Sequence, residues 1–87
     1  MYKYITSDTV TQVVTGKARR VVLQVNAALT GTIAVIDGTD GTTANVATIT
    51  NPTVGSRYEY YDFNDGVRVK ASDACDITVS AMDGFGV

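Results

Sequence analysis

The chain contains no histidine and no tryptophan, and only one cysteine, one proline and one glutamate among 87 residues. Each shortage closes off a class of fold or function. Cys75 alone cannot form an intrachain disulfide, and without histidine it cannot complete a structural zinc site. General acid–base and nucleophilic catalysis lose their commonest agents. The paired acids of a glycosidase are missing too, because Glu59 is the sole glutamate and lies in a strand-like segment. The residues therefore point to no enzyme and no cofactor. Basic residues number 7 against 9 acidic ones, for a net charge of −2. The one basic cluster, Lys17-Ala18-Arg19-Arg20, reads as a solvated strand start, so no nucleic-acid partner is expected. Met1 to Thr6 has no apolar signal region and no stretch approaches membrane-spanning length, so no membrane partner is expected. An unpaired cysteine fits synthesis in a reducing cytoplasm.

What the chain does have is β-branched residues. Thirteen threonines and thirteen valines favour a pleated surface and disfavour long helices. Short apolar runs recur about every ten residues between Gly, Asp and Asn turns, which is sandwich or small-barrel spacing. Strands are expected near 9–15, 19–26, 31–37, 45–50, 57–63, 66–71 and 75–81. Val21, Leu23 and Val25 should point inward together, as should Val67, Val69 and Ala71, and Cys75, Ile77, Val79 and Ala81. The fold class is thus all-β, a small antiparallel β-sandwich of about seven to eight short strands, Ig-like or jelly-roll-like. One domain covers 1–81, and 82–87 form an apolar, Gly-containing tail. A domain of this size buries only roughly 60–65% of the surface its unfolded chain exposes, so a partner subunit is the expected supplement to its core.

Few residues suggest chemistry. Cys75, on the inward set of its strand, is expected to be a buried and inert hydrophobe. Asp37 with Asp40, and Asp73 with Asp76, could in principle ligate calcium. Neither pair has the spacing of a calcium loop, and Asp ordinarily forms turns through its own backbone hydrogen bonds, so no metal is expected. The segment Arg57-Tyr58-Glu59-Tyr60-Tyr61-Asp62-Phe63 places two aromatic pairs on opposite faces of a regular strand. Either a bulge between Tyr60 and Tyr61 turns both pairs inward, or one pair stays outside as a contact surface. The strand at 31–37 is apolar on both faces, so Ala34 and Ile36 require cover on the outer side or a central position. Tyr2 and Tyr4 at one end, and Met82, Phe85 and Val87 at the other, either cover the sandwich ends or dock on a neighbouring subunit. Tyr58, Tyr60, Tyr61, Ala34, Ile36, Met82, Phe85 and Val87 are therefore the candidate interaction surface.

The stretch Thr30-Gly31-Thr32-Ile33-Ala34-Val35-Ile36-Asp37-Gly38-Thr39 is followed by Ala47-Thr48-Ile49, the aromatic strand, Phe63-Asn64-Asp65-Gly66-Val67-Arg68-Val69 and Asp76-Ile77-Thr78-Val79-Ser80. Over about residues 20–81 this sequence resembles small β-sandwich virion proteins of tailed bacteriophages, of the capsid decoration (cement) and head-fibre or neck type. The resemblance implies a virion location and a subunit that binds the major capsid protein or another virion protein and stabilises the shell. It implies a symmetric homo-oligomer, with a trimer favoured, and it carries over no catalytic residue. The Phe-Gly-Val ending departs from it, since the chain is expected to stop near its last strand. The rival reading is a carbohydrate- or receptor-binding sandwich, associated with a tail or fibre, whose ligand platform is Tyr58, Tyr60 and Tyr61.

Overall fold

The structure, a computed structural model, describes residues 2–39 and 45–83. Eight strands account for most of them: β1 (Tyr2–Ile5), β2 (Thr11–Thr15), β3 (Ala18–Val25), β4 (Thr32–Asp37), β5 (Asn45–Thr50), β6 (Arg57–Phe63), β7 (Gly66–Ala71) and β8 (Ile77–Asp83). They form two four-stranded antiparallel sheets, a front sheet in the order β1-β8-β3-β6 and a back sheet in the order β2-β7-β4-β5. The pairs β1·β8, β2·β7, β3·β6 and β4·β5 are those of one long antiparallel hairpin whose tip lies between β4 and β5. Curling that hairpin sets β8 beside β3 and β7 beside β4. Of the two windings expected, this is the jelly roll.

The alternation of the sequence produces the core directly. Val21, Leu23 and Val25 of β3 and Ile77, Val79 and Ala81 of β8 face Ile33 and Val35 of β4 and Val67, Val69 and Ala71 of β7, all buried. Leu23, Val25, Ile33, Val35, Val67 and Val79 are completely shielded from solvent. The strand expected to be apolar on both faces, β4, is central in the back sheet, and its outer residues Ala34 and Ile36 are half-buried.

The ends of the roll are tied by side chains that replace missing ladder bonds. The β2–β7 register slips between Gln12 and Val14, which leaves Val13 as an extra residue. Nε2 of Gln12 donates to the carbonyls of Val14 (2.7 Å), Gly38 (3.0 Å) and Val67 (3.1 Å) across that slip. Gly66 is required at the same corner, since a Cβ there would lie 2.8 Å from the Gly38 carbonyl oxygen and 2.9 Å from Nε2 of Gln12. Beside it the Asp37 carboxylate accepts the backbone N–H groups of Asn64 (3.0 Å), Asp65 (2.9 Å) and Gly66 (3.4 Å). Burial opposes the charge on Asp37, but these three donors outweigh it and hold the carboxyl below the ordinary aspartate value.

Three expectations need correction. Residues 2–5 form a strand, β1, where only covering or docking residues were expected. The last strand runs to Asp83, so Met82 and Asp83 belong to the sheet, opposite Arg20 and Ala18 respectively. Cys75 precedes β8 rather than lying on its inward face. It is half-buried, with Sγ 3.6 Å from the Ile5 carbonyl oxygen and 3.5 Å from that of Ser7. Burial, and then the charges of Asp76 and Asp8, push its thiol pKa up, which disfavours the thiolate.

Candidate functional site

The cross-strand register assembles the outer face of the front sheet in rows, because directly opposed residues share a face. One row runs Tyr4, Thr78, Gln24, Arg57, the next Tyr2, Ser80, Val22, Glu59, and the last Met82, Arg20, Tyr61. Tyr2 (71%), Tyr4 (59%), Tyr61 (60%) and Met82 (56%) are the large apolar side chains exposed on this face. Polar groups hold the face in place without covering it. Nε of Arg20 donates to Oε1 of Glu59 at 2.9 Å, a second bond joins Nη2 to the same oxygen, and the Tyr61 hydroxyl approaches it at 3.4 Å. The Arg20 hydrogen bond is the main cause that keeps Glu59 below the ordinary glutamate value. At the other end a hydrogen bond to Asp76 raises the Tyr4 pKa, with burial and the carboxylate's charge acting in the same sense. Asp76 also accepts from Nδ2 of Asn26 at 3.2 Å.

The aromatic strand resolves in a third way. Tyr58 is opposite Leu23 and Tyr60 opposite Val21, so both point inward and pack half-buried against the core. Burial is the main reason that the Tyr60 pKa is raised. Tyr61 is opposite Arg20 and points outward. The irregularity falls at Asp62, which has a φ of 63°, and not between Tyr60 and Tyr61. It turns Phe63 back into the core beside Ala18, leaving Tyr61 alone outside. The three-tyrosine platform of the carbohydrate reading is therefore not formed.

The other candidate residues lie elsewhere. Ala34 and Ile36 sit on the outer face of the back sheet, on the opposite side of the sandwich from Tyr61 and Met82. There they line a groove of about 640 Å³ with Asp8, Val10, Arg68 and Lys70. Phe85 and Val87 fall outside the described residues, as does Asp40 of one proposed calcium pair. Asp37, its partner, is engaged with the turn at 64–66. Oδ2 of Asp73 accepts from the Ser72 hydroxyl at 3.2 Å. Among the described residues no group of three or more His, Cys, Asp or Glu side chains could hold a metal ion. No described helix is long and apolar enough to cross a membrane.

Sequence reasoning named Tyr2 and Tyr4 as covering or docking residues but left them out of the candidate surface. The signal was present as alternation in Tyr2-Lys3-Tyr4-Ile5, where Ile5 is buried and both tyrosines are exposed. No protein-family model matches the chain, and no curated protein matches it.

Proposed function

We propose that this protein is a structural attachment subunit of a virion, of the capsid decoration kind, that docks the outer face of its front sheet on preassembled shell protein. The observation that carries the reading is the gathering of Tyr2, Tyr4, Tyr61 and Met82 on one face, exposed and crossed by the Arg20–Glu59 ion pair, with Arg57 at its edge. Tyr and Met are enriched in protein interfaces, and an internally paired Arg20–Glu59 can be covered without stranding a charge. The molecule's broad dimensions, 34 × 26 Å, match the scale of a standard interface, which buries roughly 800 Å² per partner. The resemblance over residues 20–81 supplies the partner class, the major capsid protein or another virion protein. Jelly rolls recur among both capsid and lectin domains, so the winding accommodates this reading without selecting it. Self-association as a symmetric trimer would present three such faces at a shell junction and add cover to a small core. No catalytic step is assigned to the protein.

The test is co-sedimentation of the purified protein with shells assembled from the major capsid protein encoded beside its gene, run in parallel with a glycan array. Saturable binding to shells supports the reading. Absence of shell binding, with selective retention of a glycan, replaces it by the carbohydrate-binding one.

A further inference from the structure

The groove on the back sheet lies on the opposite side of the sandwich from the proposed front-face contact and has a different chemistry. Arg68 and Lys70 stand at alternate positions of β7, roughly 6.6–6.8 Å apart by strand rise. Ile36 is opposite Arg68 and Ala34 opposite Lys70, so two cations and two apolar side chains form a tile on the outer face. Among the described residues no carboxylate forms an ion pair with either cation. The Nε of Arg68 is shut off from solvent and has no hydrogen-bond partner there. A buried donor in that state is costly, and it leaves the guanidinium without a partner among the described residues. The described strands of the back sheet carry one acid, Asp37, whose carboxylate is already committed to the 64–66 turn. Of the residues lining the groove only Asp8, before β2, is acidic, so Arg68 and Lys70 leave the groove net positive in a chain whose net charge is −2. The groove lining has no aromatic ring on which a base or sugar could stack.

We propose that this groove binds an extended acidic segment of a partner protein. Carboxylates at alternate residues of an extended chain repeat at the spacing of Arg68 and Lys70, so both can be met without distortion. The other N–H groups of the Arg68 guanidinium and the Lys70 ammonium then have carboxylate acceptors, and the apolar atoms of the segment lie over Ile36 and Ala34. The subunit would carry two independent docking surfaces, a tyrosine-rich face in front and a cationic groove behind.

The experiment is an NMR titration of the isotope-labelled protein with a short peptide of alternating alanine and aspartate, and with its alanine–lysine counterpart. The aspartate peptide alone should shift the amides of residues 32–36 and 68–72. Its affinity should fall by about tenfold in Lys70→Gln and in Arg68→Gln, and should weaken as salt is raised. Lys70 is exposed, so its substitution keeps the test decisive if Arg68→Gln fails to fold. Tyr61→Ser/Met82→Ser should leave peptide binding unchanged, which separates this proposal from the front-face one. Equal binding of the lysine peptide, unchanged affinity in Lys70→Gln, shifts mapping elsewhere, or tighter binding of a single-stranded oligonucleotide to the same residues would overturn it.

Discussion

Tyr61 and Met82 flank Arg20 from opposite sides, one on β6 and the other on β8, in a single row across the front face. Two local irregularities set that row. The register of β3 on β8 slips between Ala18 and Arg20, and Asp62 takes a left-handed conformation, so Ala18 and Phe63 turn inward while Arg20 and Tyr61 stay out. The exposed apolar row is thus built into the backbone and is not a chance of rotamers.

Core and face should separate in a stability measurement. Leu23 is fully buried in β3, and Leu23→Ala should cost about 2–5 kcal/mol. Tyr61→Ala, on the exposed face, should cost within about 0.5 kcal/mol. Chemical denaturation of both variants checks this, and equal losses would mean that Tyr61 is part of the core.

The Asp37 carboxylate gives the acid limb of stability its sign. Its folded-state pKa lies below the unfolded one, so its contribution is fully present above about pH 4 and is lost as pH falls through the folded value. Asp37→Asn should lower stability by about 1 kcal/mol at neutral pH, allowing for partial solvent screening, and should flatten the fall below about pH 4. Melting temperatures measured from neutral pH downward would show it, and parallel curves for the two proteins would contradict it.

Cys75 should react slowly without being inaccessible. Its Sγ contacts the carbonyls of Ile5 and Ser7, and its raised pKa suppresses the thiolate. Labelling by a thiol reagent near neutral pH should run about tenfold slower than in the denatured protein. Identical rates would show that the 72–76 connection does not shield the sulfur.

Truncation distinguishes strand from tail. Met82 and Asp83 are rungs of β8 against Arg20 and Ala18, so removing 82–87 should lower the melting temperature more than removing 84–87. Equal melting temperatures for the two truncations would place the end of the sheet at Ala81.

The interior was largely legible because alternation with period two is a local property. Every expected strand from 9–15 to 75–81 has a counterpart, and Val21, Leu23, Val25, Val67, Val69 and Ala71 are buried as read. Strand order was not legible, because pairings such as β1 with β8 join residues far apart in sequence. Cys75 misled because it fits the alternation of Ile77 and Val79 although the backbone there is not yet a strand. The candidate surface divided for the same reason. Period two puts Ala34 and Ile36 on one face of their strand and leaves the side of Tyr61 open, but it does not say that Tyr61 and Met82 lie on one sheet and Ala34 and Ile36 on the other. Asp62 could not be foreseen, since a single left-handed residue reverses the faces that follow it.

The most direct test of the front-face account is saturation binding to assembled shells by wild-type protein, Tyr61→Ser/Met82→Ser and Lys70→Gln, with folding checked by circular dichroism. The account predicts that the double variant folds and loses at least about tenfold in affinity, as expected for the loss of two interface side chains. Lys70→Gln should remain within about twofold of wild type if the acidic partner of the back groove is not the shell itself. Wild-type affinity in the folded double variant would contradict the assignment of the tyrosine face as the attachment surface.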